Sequence, residues 1–428
     1  MSRLLVLGVG PLPFENRKKV YGESLRTWHF LKPLLDAGHE ICLVALQLPD
    51  PYHEENLPQI IQMQKDNLLY YSVDELYVFM DIHYIQMHHD LFKPEVILGI
   101  NTHAAQQACR LQTDCPIWAD LNGWAMAEAQ TKAALNKDDY FIDFLWKRES
   151  PVVRRADRFS VASEPQKFAL IGELAVAGRL TRETFGYEFV DTIPNSVEKK
   201  EYNHAKTVLR GIKVDKHDFI VLWSGGYNTW TDIETLFKAL TNAMDQNPKI
   251  KFVSTGGKID GYNDLTYPQF LKMIESSPFK DRFIMLGWVP TEDVENYYFE
   301  SDLGINIDAM NYEAVFGARN RLTHMMKIGL PVLTTVGPEV TQIIQKENLG
   351  LTFQIGNPES FAEQIIWGAN HRQELQQMGQ RAKQYVFDHW AINQTTKAVQ
   401  EWVKNPTHSP DWKYPRPIHF DPLLSEGG

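Results

Sequence analysis

Two short stretches constrain this chain more than any other feature. "RLLVLGVG" at 3–10 and "DFIVLWSGG" at 218–226 are each a continuous apolar run that breaks at glycines. Such a run is the pattern of a strand buried on both faces and ending in a tight loop, as in the centre of a parallel sheet. Parallel strands need a crossover, so the segment after each run is diagnostic. After the first, Leu25, Trp28, Leu31, Leu34 and Leu35 recur at helical spacing, Gly38 closes the helix, and "EICLVAL" is again a strand. After the second, a helical segment at 231–244 leads to "IKFVSTGG".

The alternation fills both halves. "ELYVFM", "EVILGI", "CPIWADL" and "RFSVAS" read as strands, with helices at 81–92, 103–112, 124–135, 139–156 and 164–177. The pattern pauses at "IPNSVEKK", resumes with "RFIMLGWV", "DLGINID" and "LPVLTT", and ends in helices over 357–403. The expected fold class is α/β, with a doubly wound parallel sheet in each of two domains. Their boundaries are 1–195 and 196–400, followed by a proline-rich extended tail, 401–428. A chain of 428 residues also exceeds the roughly 250–300 at which single cores stop growing. In such sheets ligands bind beyond the carboxyl ends of the strands.

Charge excludes some functions. The net charge of −11 argues against a nucleic-acid binder, which needs a basic field to displace counterions. It leaves little for a membrane face beyond a local set, Arg17, Lys18, Lys19, Arg26 and Lys32, read as a solvated helix face. Three cysteines, Cys42, Cys109 and Cys115, form no metal or disulfide pattern, and Cys42 reads as core. The first apolar run is too short for a signal peptide and no window holds 18 apolar residues, so a cytoplasmic protein is expected.

The segment with the most chemistry is "NYEAVFGARNRLTHMMKIGLPVLTT", 311–335. A strand is expected to end near Asp308 and a helix to start near Ala318, placing Arg319 and Arg321 in its first turn. That turn already carries free N–H groups and a partial positive charge. Two cations there call for an anion, such as a diphosphate. Being two residues apart they diverge, so one is expected on phosphates and the other on a carboxylate. The glycine pairs Gly8/Gly10, Gly225/Gly226 and Gly256/Gly257 expose backbone amides after strands, but none fits a P-loop or a G-x-G-x-x-G pattern.

"FIVLWSGGYNTWTDIETLFKAL", "KFVSTGG", "FIMLGWVPTEDVENYYFESDLGINID" and the 311–335 segment, in this order over about 219–335, resemble the family 4 (group 1) retaining glycosyltransferases, in particular a divergent bacterial subgroup. The resemblance implies the GT-B architecture of two Rossmann-like domains facing a cleft. It implies transfer of a sugar from a nucleotide-diphosphate sugar to a saccharide, lipid-linked or small-molecule acceptor, with no metal or other cofactor. The donor would lie mainly on the second domain, against Gly10, Gly22, Gly225, Gly226, Asn228, Gly257, Val289, Gly317, Ala318, Asn320 and His324. Arg319, Arg321, Glu313 and Asp120 would carry the chemistry, and Asn122, Trp124 and Glu128 the acceptor. Glu15, Arg17 and Glu23 are further cleft candidates, and Asp232 is expected to cap a helix. Trp124, Tyr140, Phe141, Phe144 and Trp146 lie where the acceptor domain faces the cleft in this fold; they could stack on a saccharide or bind a lipid tail, and are read as core.

The chain departs from the family pattern in two ways. The two glutamates expected before the "GLP" turn fall on Phe316 and His324, with Glu313 a substitute from a longer loop. The usual Arg and Lys after the first strand of the second domain are missing from "GGYNTWTD". Both departures are compatible with a catalytically inactive nucleotide-sugar-binding or assembly subunit of the same fold.

Overall fold

The computed structural model describes residues 1–15, 17, 19–48, 58–74, 81–259 and 263–413. The first sheet has eight strands: β1 (Arg3–Gly10), β2 (Glu40–Gln47), β3 (Ile60–Lys65), β4 (Leu68–Asp74), β5 (Val96–Ile100), β6 (Ile117–Leu121), β7 (Arg158–Val161) and β8 (Val190–Thr192). Their order is β3-β4-β2-β1-β5-β6-β7-β8, parallel throughout except for β3, which pairs antiparallel with β4. The second sheet has six: β9 (Phe219–Ser224), β10 (Ile250–Thr255), β11 (Phe283–Met285), β12 (Leu303–Asn306), β13 (Val332–Thr335) and β14 (Leu351–Phe353), in the parallel order β11-β10-β9-β12-β13-β14.

The apolar runs behave as their pattern requires. All six residues of β9 are buried, and β1 is buried from Leu4 to Gly10. Helices lie on both faces of each sheet, so a strand has no solvent side and no reason to alternate. Strand order reverses at β1/β5 in the first sheet and at β9/β12 in the second, the two topological switch points.

One element differs from the expectation, and the strand read at "ELYVFM" lies outside the described residues. Upstream of it the chain forms an unexpected hairpin, β3 and β4, joined through Asp66-Asn67, with Asp66 at φ +49°. Polar alternation in "IIQMQK" and a D-N turn are hairpin signals, overshadowed by the more apolar segment downstream. The helical stretch expected to 403 is present at its end. Lys397–Trp402 is helical, and Val399 and Val403 join the core cluster of Leu4, Val6 and Trp118 in the first sheet. Residues beyond it are held by Arg179, which reaches both carboxylate oxygens of Asp411 (2.9 and 3.0 Å) and Ser409 (3.0 Å). The remainder, 414–428, lies outside the described residues.

The chain thus passes between domains twice, and the crossings touch. The Val197 amide donates to the Trp390 carbonyl (2.9 Å) and Ile392 donates back to Val197 (3.0 Å). Among the described residues, no helix is long and apolar enough to cross a membrane.

Candidate active site between two sheet edges

At the end of β12, Asp308 is fully buried. A four-residue helix, Glu313–Phe316, follows, and the helix expected from Ala318 runs Asn320–Ile328. Arg319 is therefore at the cap position rather than inside the first turn. Its guanidinium donates to Asp308 (2.9 Å) and to both oxygens of Glu313 (3.1 and 2.5 Å), and only 5% of the residue is exposed. Gly317 allows this, since a Cβ there would collide with Arg319 and with the Glu313 carboxylate. Burial raises the Glu313 carboxyl to about 7, with Asp308 adding to the rise and Arg319 opposing it. Arg319 is the arginine paired with carboxylates, and Glu313 is held in place by it.

Arg321 is the other arginine. Its guanidinium carbon stands over Trp223 of β9, 3.6 Å from the ring centre, and Nη2 donates to the Gly226 carbonyl (2.8 Å). Its Nη1 is buried with no partner among the described residues. Burial lowers its pKa to about 10, with Arg319 adding to the fall, so it stays cationic at neutral pH. The glycine loop lacks a cation of its own sequence, and Arg321 supplies one from a helix 95 residues further along.

The other second-domain candidates surround this point. Gly225 has φ +91°, a conformation that side chains resist. Gly256 packs against the Gly225 backbone with no room for a Cβ. Asn228 accepts from the Thr231 amide (3.1 Å), and Asp232 caps Ile233–Gln246 through the Thr235 amide (3.0 Å). The Gly257 carbonyl accepts from Tyr227 (3.2 Å), and a Cβ on Gly257 would stand 3.6 Å from the Trp288 ring. Trp288, which precedes the half-buried Val289, also meets Tyr21 of the first domain edge-on at 5.8 Å. Ala318 is half-buried. His324 is driven well below the usual imidazole range by burial, then by Lys327 and His29, and is neutral.

Across the cleft, Gly22 opens the helix Gly22–Asp36, and a Cβ there would lie 2.7 Å from the Asn320 amide nitrogen. Gly10 ends β1. Glu23 lies in the first turn of this helix, where the surrounding protein, with Glu128 nearby, raises its carboxyl. Glu15 faces its own loop, accepting from the Leu12 amide (2.7 Å) and the Tyr70 hydroxyl (2.5 Å).

Asp120, expected to carry chemistry, is fully buried at the end of β6 and engaged by Arg26 (2.9 and 2.7 Å) and Ser160 (2.7 Å). Arg26 is itself only 1% exposed, not the solvated residue that its sequence neighbours suggested. It also donates to the Ile193 carbonyl (2.6 Å), so this pair ties the interdomain linker to the first sheet. Trp124 donates to Glu173 (2.7 Å) and packs edge-on against Phe316 of the second domain at 4.6 Å. Glu128 pairs with Lys132 (3.2 Å), and Asn122 is half-buried with an orphaned Oδ1. Of the other aromatic residues read as core, Tyr140 and Trp146 are exposed (59% and 36%), while Phe141 and Phe144 are half-buried. Glu149 of that helix is buried with Val152 and Val153, and its carboxyl is raised well above the carboxylate range by burial and by the neighbouring Glu173.

Sequence reasoning missed Trp223, Trp288 and Asp308. Each sat inside or just after a strand already read as core, and nothing local separates a packing tryptophan from one carrying a guanidinium.

Residues 218–370 match the family model for group 1 glycosyl transferases. No curated protein matches the sequence. Among solved structures, the chain resembles sucrose-phosphate synthase from Thermosynechococcus elongatus (TM-score 0.71, 14% identity, covering 94% of this chain and 98% of that one). It resembles HepE from Anabaena in complex with UDP-glucose (TM-score 0.65, 14% identity, 94% and 100%). A trehalose-6-phosphate structure from E. coli bound with UDP-2-fluoro glucose is similar to the same degree (TM-score 0.65, 13% identity, 95% and 100%). At these identities the likeness is one of fold, and the fold is GT-B.

Proposed function

We infer, from a second domain that matches the group 1 glycosyl transferase family model and from the GT-B fold, that the chain moves a sugar from a nucleotide-diphosphate sugar to an acceptor hydroxyl with retention. The observation that carries this reading is Arg321: a cation at a strand-end glycine loop, with a buried N–H group left over. A buried donor on a charged group calls for an acceptor, and a diphosphate oxygen beside backbone amides supplies one. The neighbours solved with UDP or its sugars make a uridine nucleotide the first to try.

In the reaction the bond from the sugar anomeric carbon to the diphosphate oxygen breaks, and a bond to the acceptor oxygen forms on the same face. The acceptor proton passes to the departing phosphate. Catalysis then consists of stabilising the charge that develops on the leaving group and of positioning. Arg321 and the amides near Gly225 and Gly226 serve the leaving group. Glu313, fixed by Arg319, faces the sugar. The charge carried by Arg321 replaces a metal, so activity is expected to survive chelation.

A thermal-shift series with UDP, GDP, ADP and their sugars tests the donor site. One nucleotide should raise Tm in wild type by mass action, and not in Arg321→Ala. A shift that persists in Arg321→Ala refutes the role. His324 at the place of the family's second glutamate favours one other reading, a subunit that binds the donor without turnover. Donor hydrolysis separates the two.

A further inference from the structure

The first-domain switch point holds a residue that the proposed reaction has not used. Asn101 follows β5 and caps the helix Thr102–Arg110, with φ +73° and ψ 151°. That region is sterically open to glycine and resisted by any residue with a Cβ. The side chain is nevertheless present, and it is 93% buried, since only 7% of the residue is exposed. Its Nδ2 donates to the Glu23 carbonyl (3.0 Å), which fixes the amide's orientation because a carbonyl can only accept. The other end, Oδ1, is buried and receives no hydrogen bond among the described residues. β5 pairs with β6 with Ile100 opposite Asp120, so Asn122 stands just beyond the neighbouring strand end. Its Oδ1 is likewise buried without a donor among the described residues.

Buried carbonyl oxygens are matched by hydrogen donors in nearly every native protein. Two of them at adjacent strand ends describe a ligand that brings hydroxyl groups. The charge nearby says what else the ligand is. Burial, with Glu128 nearby, raises the Glu23 carboxyl, and the cation beside them, Lys132, is already paired with Glu128 at 3.2 Å. A phosphate brought here would meet carboxylates and orphaned acceptors.

We propose that the acceptor is an uncharged saccharide whose hydroxyls donate to Asn101 and Asn122, and that phosphorylated acceptors are rejected at this wall. The proposal rests on the glycosyltransferase reading above and narrows it.

The test uses the full chain and the nucleotide sugar that raises its Tm. Transfer is measured to neutral mono- and disaccharides and to the same sugars carrying a phosphate. The expected result is product with a neutral sugar, and at least tenfold lower kcat/KM for its phosphorylated counterpart. Asn101→Ala should raise the acceptor KM at least tenfold while the donor-induced Tm shift is kept. Asn101→Gly gives the same loss in a protein that folds at least as readily, because glycine accepts this backbone. Preference for a phosphorylated acceptor, no transfer to any neutral sugar in a chain that binds its donor, or an unchanged acceptor KM in Asn101→Gly overturns the proposal. Absence of any nucleotide shift is a different failure, that of the donor site itself.

Discussion

The two sheets present their carboxyl ends to one cleft, and the two edges are chemically opposite. Each carries a buried arginine–carboxylate cluster at a strand end: Arg26 with Asp120 at the end of β6, and Arg319 with Asp308 and Glu313 after β12. The unmatched groups differ. The second domain has a spare N–H on a cation, Arg321. At the strand ends of the first, the orphaned groups are the side-chain carbonyl oxygens of Asn101 and Asn122. One edge asks for an anion and the other for hydrogen donors, as expected where a diphosphate faces a hydroxylic acceptor. The matched clusters show the converse: a charged residue at a sheet edge is not thereby a catalytic one.

The contrast is tested most severely at the arginines. Arg321→Ala should lower turnover by about two to three orders of magnitude, the range for losing one preorganised charge-stabilising donor, with little change in Tm. Arg319→Ala and Arg26→Ala should act through the fold, each costing about 3–5 kcal/mol by leaving buried carboxylates without a counter-charge. Denaturant unfolding of the three variants checks this. An Arg319→Ala protein as stable as wild type would show that the cluster is not what holds the loop.

A second prediction concerns pH. His29 is buried on the helix Gly22–Asp36, and burial, with Arg26 and Lys327 adding to it, lowers its pKa to about 3. The unfolded imidazole takes a proton near 6.5 and the folded one does not. Its contribution to stability is therefore full above 6.5 and declines as pH falls toward 3, by about 1.4 kcal/mol per unit. His29→Gln should flatten Tm against pH in that window relative to wild type. An unchanged slope would mean that His29 is protonated in place.

The smallest effect is at Tyr21 and Trp288, which meet edge-on across the cleft. A double-mutant cycle to alanine should return a coupling of about 0.5–1.5 kcal/mol in the Tm-derived stability of the closed form. A value near zero would show that the two rings do not help to close it.

Much of the fold was legible because strand burial and helix amphipathicity are written in local pattern. Helices expected at 81–92, 124–135, 139–156 and 164–177 lie at Ile82–Phe92, Ala125–Asn136, Tyr140–Arg155 and Glu164–Val176. The β3–β4 hairpin was not, since it is weakly apolar, and where the tail docks is set by contacts with Arg179 and Asp157 far away in sequence. At the site, Arg319 and Arg321 stood out as a pair, but nothing in their spacing says which one meets Asp308 and which one lies on Trp223.

Two parallel α/β domains, glycine loops after strands and a helix entered by two cations all depend on neighbours along the chain, and the residue order is enough to specify them. Which polar groups are already satisfied depends on folding in three dimensions. Asp120 and Arg26 are 94 residues apart, and Arg321 and Gly226 are 95. Whether a charge is matched or left over is decided by such long-range meetings, and it is the leftover groups that a substrate can use.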